Sequence, residues 1–215
     1  MTKIKICGIT REEDARACAQ LGVEYLGFVF VKESKRYVDP MECGSIAAAF
    51  PHAPGFENRH AFDSAAQGKA AAMLPHCKRV GVFRDASVDE VHRIAQIARL
   101  DLVQLHGSED EDYVRAIELP VIKVMRVEEF ADTNAQYLMF DSGGGTGRVF
   151  DWSLLERYPR TKPFFLAGGL TPDNVVEAIR VTRPDVVDVS TGVEASPGIK
   201  DHQKLRDFIQ KVRQP

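Results

Sequence analysis

The chain has 215 residues, enough for one large domain or two small ones, with 44% apolar and 27% charged residues, as in ordinary soluble globular proteins. A formal net charge of -3 gives no basis for binding nucleic acid or an anionic membrane, and no apolar run approaches the roughly 18 residues that suggest a membrane span. The four cysteines, Cys7, Cys18, Cys43 and Cys77, show neither C-x-x-C spacing nor disulfide-scaffold density, and a strand pattern begins where a signal peptide would lie, so a reducing, cytoplasmic setting is expected.

The first β-like run, residues 3–7, ends in Cys7. Thr10-Arg11-Glu12-Glu13 then forms a capping-box pattern that predicts a helix, with Ala15, Cys18 and Ala19 on its apolar face. A second run covers 25–30. Before the third, 79–83, residues 51–72 break the rhythm: the first half is rich in Pro, Gly and His, and 63–74 could be helical. Either 40–50 or 63–74 can serve as the crossover helix here. The former places the extra segment away from the chemistry; the latter makes 31–62 a long loop over it.

Ser87-Val88-Asp89-Glu90 is a second capping box, followed by Val88, Val91, Ala95 and Ala98 at helical spacing. Run 102–105 precedes a third, Ser108-Glu109-Asp110-Glu111. Runs 121–124 and 137–140 follow, the latter closed by Asp141, and Asp151 reads as a cap before Trp152. Run 164–167 leads to Thr171-Pro172, an N-cap with proline at the first helical position. Run 186–189 comes last, before a helix with Leu205, Phe208, Ile209 and Val212 on one face.

Near-continuous apolar strands such as Tyr25–Phe30 fit parallel strands buried on both faces. Eight of them alternating with helices give an α/β fold: a closed (β/α)8 TIM barrel or an open doubly wound sheet. No G-x-G-x-x-G follows the first strand, which weakens the dinucleotide-binding alternative. The expectation is a single-domain (β/α)8 barrel over 1–215 with an atypical inserted segment around 51–72.

Parallel α/β enzymes place their chemistry at the C-terminal ends of the strands. Cys7 and Asp141 both lie there, and a thiol and a carboxylate suggest a base and an acid acting on opposite sides of one small substrate. A base role requires a stabilised thiolate or fast proton transfer; an acid role requires a carboxyl that keeps its proton near neutrality. Glycine-bearing segments follow the late strands: Gly143–Gly147, Ala167–Leu170 and Asp188–Glu194. Phosphate commonly binds between the loops after strands seven and eight of a barrel, which selects Gly168, Gly169, Ser190 and Thr191. Gly145, in the glycine loop after strand six, is counted with them as a phosphate-binding residue, and its loop could also close over the substrate beside Asp141. Gln104, His106 and Asp188 are possible pocket residues. The six histidines lack metal-ligand spacing, so no metal is expected.

Taken together, Lys5-Ile6-Cys7-Gly8-Ile9-Thr10, Ser34-Lys35-Arg36-Tyr37-Val38, Val80-Gly81-Val82-Phe83 and Val103-Gln104-Leu105-His106-Gly107 resemble the motifs of phosphoribosylanthranilate isomerase. So do Phe140-Asp141, Gly144-Gly145-Thr146-Gly147 with Phe150-Asp151-Trp152, Leu166–Leu170 and Asp188–Glu194, in the same order along nearly the whole chain. Thr191 stands where serine is common, which preserves a hydroxyl. The resemblance implies a cofactor-free (β/α)8 barrel, monomer or homodimer, acting on a phosphosugar in tryptophan biosynthesis. It implies an Amadori rearrangement with Asp141 as general acid and Cys7 as general base, and Arg36 paired with the anthranilate carboxylate. Other phosphosugar barrels share the phosphate loops but are not expected to combine Cys7 with Asp141; a degenerate ligand-binding barrel would not retain both.

Overall fold

A computed structural model of the chain describes residues 1–48, 76–126, 128, 130–142 and 150–214. Eight parallel strands, β1 (Lys3–Cys7), β2 (Tyr25–Val29), β3 (Lys78–Phe83), β4 (Leu102–Leu105), β5 (Val121–Met125), β6 (Tyr137–Phe140), β7 (Phe164–Leu166) and β8 (Val186–Val189), pair in sequence order, and β8 pairs back onto β1. The sheet is therefore a closed barrel, as the alternating pattern predicts. A small antiparallel ribbon, β9 (Glu194–Ser196) and β10 (Ile199–Lys200), extends the last loop.

The period-two geometry of a strand separates two cores. Tyr25, Val80, Leu102, Ile122, Met139, Phe165, Ala167 and Val186 pack inside the barrel. Their neighbours Ile4, Ile6, Leu26, Phe28, Val103, Leu105, Leu138, Phe140, Leu166, Val187 and Val189 face outward into a larger core shared with the helices. Those helices are α1 (Glu12–Gln20), α2 (Pro40–Ala48), α3 (Val88–Ile97), α4 (Glu111–Ala116), a 3-10 helix (Trp152–Arg157), α5 (Val175–Thr182) and α6 (His202–Arg213). Cys18, Cys43 and Cys77 are buried in this outer core. α6 buries the four predicted residues Leu205, Phe208, Ile209 and Val212. No helix among the described residues is long and apolar enough to cross a membrane.

The helix starts agree with expectation only in part. Ser87 caps α3 by accepting from Glu90 N, and Asp151 caps the 3-10 helix by accepting from Ser153 N. Thr10 does not cap α1; its hydroxyl donates instead to the Gly198 carbonyl at 2.6 Å, tying β1 to the β9–β10 ribbon. Ser108 bonds Asp85, and α4 begins later, at the cap Asp110, because Glu109 turns inward to meet Lys123 Nζ at 3.2 Å. Thr171-Pro172 forms a turn closed by Asn174 Oδ1 on Thr171 N, and α5 starts only at Val175. In each case a tertiary partner or an extra turn displaces a local cap. α2 makes 40–48 the crossover after β2; residues 51–72, including the candidate helix at 63–74, lie outside the described residues.

One ion pair is built into the wall between β3 and the start of β4. Arg79, 1% exposed, donates from Nε to Asp101 Oδ2 at 2.9 Å and from Nη2 to Oδ1 at 3.3 Å, while its backbone N–H also meets Oδ2. Deleting one partner of a buried pair leaves the other's charge in low dielectric. Asp101→Ala is expected to lose about 3–5 kcal/mol of stability in urea denaturation.

Candidate active site

Continuing the inward alternation past the interior core brings the functional side chains to the C-terminal mouth. Lys5 leads to Cys7, Leu102 to Gln104 and His106, Met139 to Asp141, Val80 and Val82 to Arg84, and Val186 to Asp188 and Ser190. Cys7, Val82, Arg84, Gln104, His106, Met139, Asp141, Asp188 and Ser190 line one cavity of about 660 Å³, together with Arg36, Gly168, Gly169, Thr191, Gly192 and Lys204, while the buried Lys5 does not line it. The structure thus gathers Cys7, Arg36, Gln104, His106, Asp141, Gly168, Gly169, Asp188, Ser190 and Thr191 around one space. Gly145 lies outside the described residues.

At the floor, Lys5 and Asp188 are register partners on β1 and β8, and Lys5 Nζ donates to Asp188 Oδ1 at 3.0 Å, with both side chains buried. Lys5 precedes Cys7 by two positions on β1 and so shares its strand face. Burial pushes the Cys7 thiol above its ordinary value; Lys5 and Lys200 oppose this, and Asp188 adds to it. Space for the sulfur depends on Gly27, the register partner of Cys7, where a Cβ would stand 2.8 Å from Sγ.

On the opposite side, Asp141 Oδ2 is 3.5 Å from His106 Nε2, and His106 Nδ1 is 3.5 Å from Gln104 Nε2. Burial lowers the His106 imidazole, with Asp141 partly offsetting it, so the ring is neutral at pH 7. The buried Gln104 Oε1 has no hydrogen-bond partner among the described residues, leaving an acceptor for a ligand. Gly168 adopts φ +86°, and a Cβ there would meet Ser142 Oγ at 2.5 Å and Asp141 Oδ1 at 2.9 Å. Only glycine suits both this conformation and this approach.

Arg36 enters from the β2–α2 connection and is gripped from beneath. Its Nε and Nη2 donate to Glu194 Oε1 and Oε2 at 2.8 and 2.7 Å, and Nη2 also reaches Thr191 Oγ1 at 3.0 Å. Lys200 Nζ adds a third cationic contact to Glu194 Oε1 at 2.9 Å and bonds the Cys7 carbonyl at 2.6 Å. Burial works against the Glu194 carboxylate, but Arg36 and Lys200 outweigh it and hold its pKa down to about 2, against 4.5 ordinarily. A depressed carboxylate stabilises the fold above its unfolded pKa and loses that contribution as pH falls toward its folded one. The contribution is about 3 kcal/mol. Glu194→Gln is expected to be less stable than the parent at pH 7 by about that amount, with the gap closing near pH 2 in acid-denaturation curves.

The sequence reading assigned no role to Lys5, Gly27, Arg84, Glu194, Lys200 or Lys204. Lys5 was detectable, since it precedes Cys7 by two positions and so shares its face. Lys200 and Glu194 meet each other six residues apart, but the partners that bring them to the site, Cys7 for Lys200 and Arg36 for Glu194, lie 193 and 158 residues away and leave no local signal.

The family profile described as N-(5'phosphoribosyl)anthranilate (PRA) isomerase matches residues 55–211. An N-(5'-phosphoribosyl)anthranilate isomerase of Trichlorobacter lovleyi is 41% identical, covering 100% of this chain and 99% of its own. The chain belongs to the phosphoribosylanthranilate isomerase family. The structure of the phosphoribosyl anthranilate isomerase from Thermus thermophilus superposes with a TM-score of 0.83 at 34% identity, covering 99% of both chains. A phosphoribosyl anthranilate isomerase solved in complex with reduced 1-(o-carboxyphenylamino)-1-deoxyribulose 5-phosphate superposes at 0.79, with 34% identity and full coverage of both. As a phosphoribosylanthranilate isomerase the chain is an enzyme of the aldose–ketose class, and the cavity at the strand ends is where the fold places such chemistry.

Proposed function

We propose that the chain converts N-(5-phospho-β-D-ribosyl)anthranilate to 1-(2-carboxyphenylamino)-1-deoxy-D-ribulose 5-phosphate in tryptophan biosynthesis, with Asp141 as general acid and Cys7 as general base. The observation that carries this reading is the placement of Cys7 at the end of β1 and Asp141 at the end of β6, three strands apart around the barrel, both lining one cavity. Asp141 protonates the furanose ring oxygen, the C1–O bond breaks, and the nitrogen lone pair forms an iminium. Cys7 thiolate removes the proton from C2, the electrons flow to the iminium nitrogen, and the resulting enolamine tautomerises to the ketone. Atoms are conserved; after product forms, Cys7 gives up the proton it took and Asp141 takes one up, by exchange with solvent at the open mouth, which resets both groups.

The positions around this pair supply orientation. Ser190, Thr191 and the glycine turn Gly168-Gly169 offer short hydroxyl and backbone donors at one end of the cavity, with Lys204 beside them, suited to a phosphate. Arg36 faces the anthranilate carboxylate. Its Nε/Nη2 edge is occupied by Glu194, so Nη1 is the donor for the substrate. Neutral His106 and Gln104 line the wall beside Asp141.

The test is turnover of freshly generated phosphoribosylanthranilate, followed by loss of its fluorescence. Robust turnover by the folded chain supports the reading; folded protein without turnover moves the assignment to another phosphosugar barrel.

A further inference from the structure

We propose that Lys5 is the positioning residue of the thiol: a buried ammonium anchored by Asp188 and shared with the sulfur of Cys7. The inference rests on the reading of Cys7 as the base and names the group that compensates its negative charge.

Geometry carries it. Lys5, Cys7 and Asp188 all project into the barrel, Lys5 two residues before Cys7 and level with Asp188 in the β1–β8 register. Lys5 is 0% exposed, so water does not solvate its charge. Among interior positions nearby, Tyr25, Val80, Leu102, Ile122 and Val186 are apolar or aromatic. A lysine here would be destabilising unless an anion met it, and one carboxylate would suffice for that. The same ammonium also shares the strand face of Cys7, two positions before it, which places a fixed positive charge on the side where the thiolate forms.

The other charged groups acting on this assembly are Lys200 from β10 and Arg36 from the β2–α2 connection, both toward Cys7. His106 on the β4 end couples to Lys5, and Asp141 at the end of β6 to Asp188. Burial disfavours the Lys5 ammonium, but Asp188 and Cys7 together hold it above the usual lysine value. Burial pushes the Asp188 carboxyl up, with Lys5 as its main compensation. Lys5 is hydrogen-bonded to Asp188 and shares a strand face with Cys7, so the aspartate competes with a thiolate for its charge. Removing the lysine and removing the aspartate must therefore move the thiol in opposite directions, which a merely structural pair would not do.

The experiment is alkylation of Cys7 by iodoacetamide in the folded protein from pH 6 upward, read by peptide mass spectrometry, an assay that does not depend on turnover (pH range chosen to bracket an ordinary thiol of about 8.5). Cys18, Cys43 and Cys77 are buried, so Cys7 is the accessible thiol. In Lys5→Met the alkylation profile is expected to move to higher pH, with a rate at fixed pH about tenfold lower per unit moved. In Asp188→Asn it is expected to move to lower pH, with a correspondingly faster rate. Unchanged profiles, or shifts of both variants in one direction, overturn the proposal. If Lys5→Met fails to fold, Asp188→Asn decides alone: unchanged or slower alkylation overturns it. Turnover that survives Cys7→Ala would sink the base assignment separately, leaving the opposed shifts of the alkylation profile intact.

Discussion

Replacing Asp141 with Asn is expected to lower kcat about a thousandfold with little change in KM. Asn keeps the shape and the hydrogen-bonding reach of the carboxyl but cannot deliver a proton to the ring oxygen, and a positioned general acid contributes roughly 10²–10⁴ in rate. Binding elements elsewhere in the cavity, Arg36 and the Gly168–Gly169 and Ser190–Thr191 turns, are untouched, so substrate affinity is retained. Steady-state kinetics by fluorescence loss separates the two parameters. A KM increase with kcat preserved would reassign Asp141 to binding. Gly168→Ala offers an independent route to the same outcome. The added methyl would stand 2.9 Å from Asp141 Oδ1 and 2.7 Å from the Ser142 backbone nitrogen, at a φ of +86°, and so displaces the carboxyl without removing it. Its kcat loss should be smaller than that of Asp141→Asn.

Replacing Cys7 with Ala is expected to cost about a thousandfold in kcat as well, and Cys7→Ser to recover little of it, because a hydroxyl is a far weaker acid than a thiol and yields no thiolate-like base at neutral pH. Cys7 lines the cavity and is not part of the apolar core, so thermal unfolding of both variants should stay close to the parent. A base works only when deprotonated, and burial holds the thiol above its ordinary value. Wild-type kcat/KM should therefore climb about tenfold per pH unit on the low-pH side of the thiol's titration. This limb should vanish in Cys7→Ala. Retention of the limb without the thiol would assign it to another group.

The barrel was legible in the sequence because its cause is local. Eight apolar runs of four to six residues, most of them followed by a helical pattern, can bury both faces of a parallel sheet in few ways, and the strand bounds read from residues 3–7, 102–105, 137–140 and 186–189 coincide with β1, β4, β6 and β8. Cys7 and Asp141 were legible for the same reason: each ends a strand, and strand ends in such a fold converge on one face. Cys18 and the α6 stripe followed from helical periodicity.

What the local pattern misjudged were the ends of helices and the company of charges. Thr10, Ser108 and Thr171 each carry the chemistry of an N-cap, but a hydroxyl takes whichever partner the tertiary structure brings nearest, and for Thr10 that is Gly198, 188 residues away. The pairing of Lys5 with Asp188 spans 183 residues, and that of Arg36 with Glu194 spans 158. By itself the sequence determined which strands form, which faces they bury and which two reactive groups reach the mouth, because period-two alternation and apolar run length act within a few residues. The tertiary structure alone decided that a buried ammonium sits beneath the thiol and that a carboxylate occupies one edge of Arg36, because barrel closure brings β8 against β1 and no local rule encodes which charges then meet.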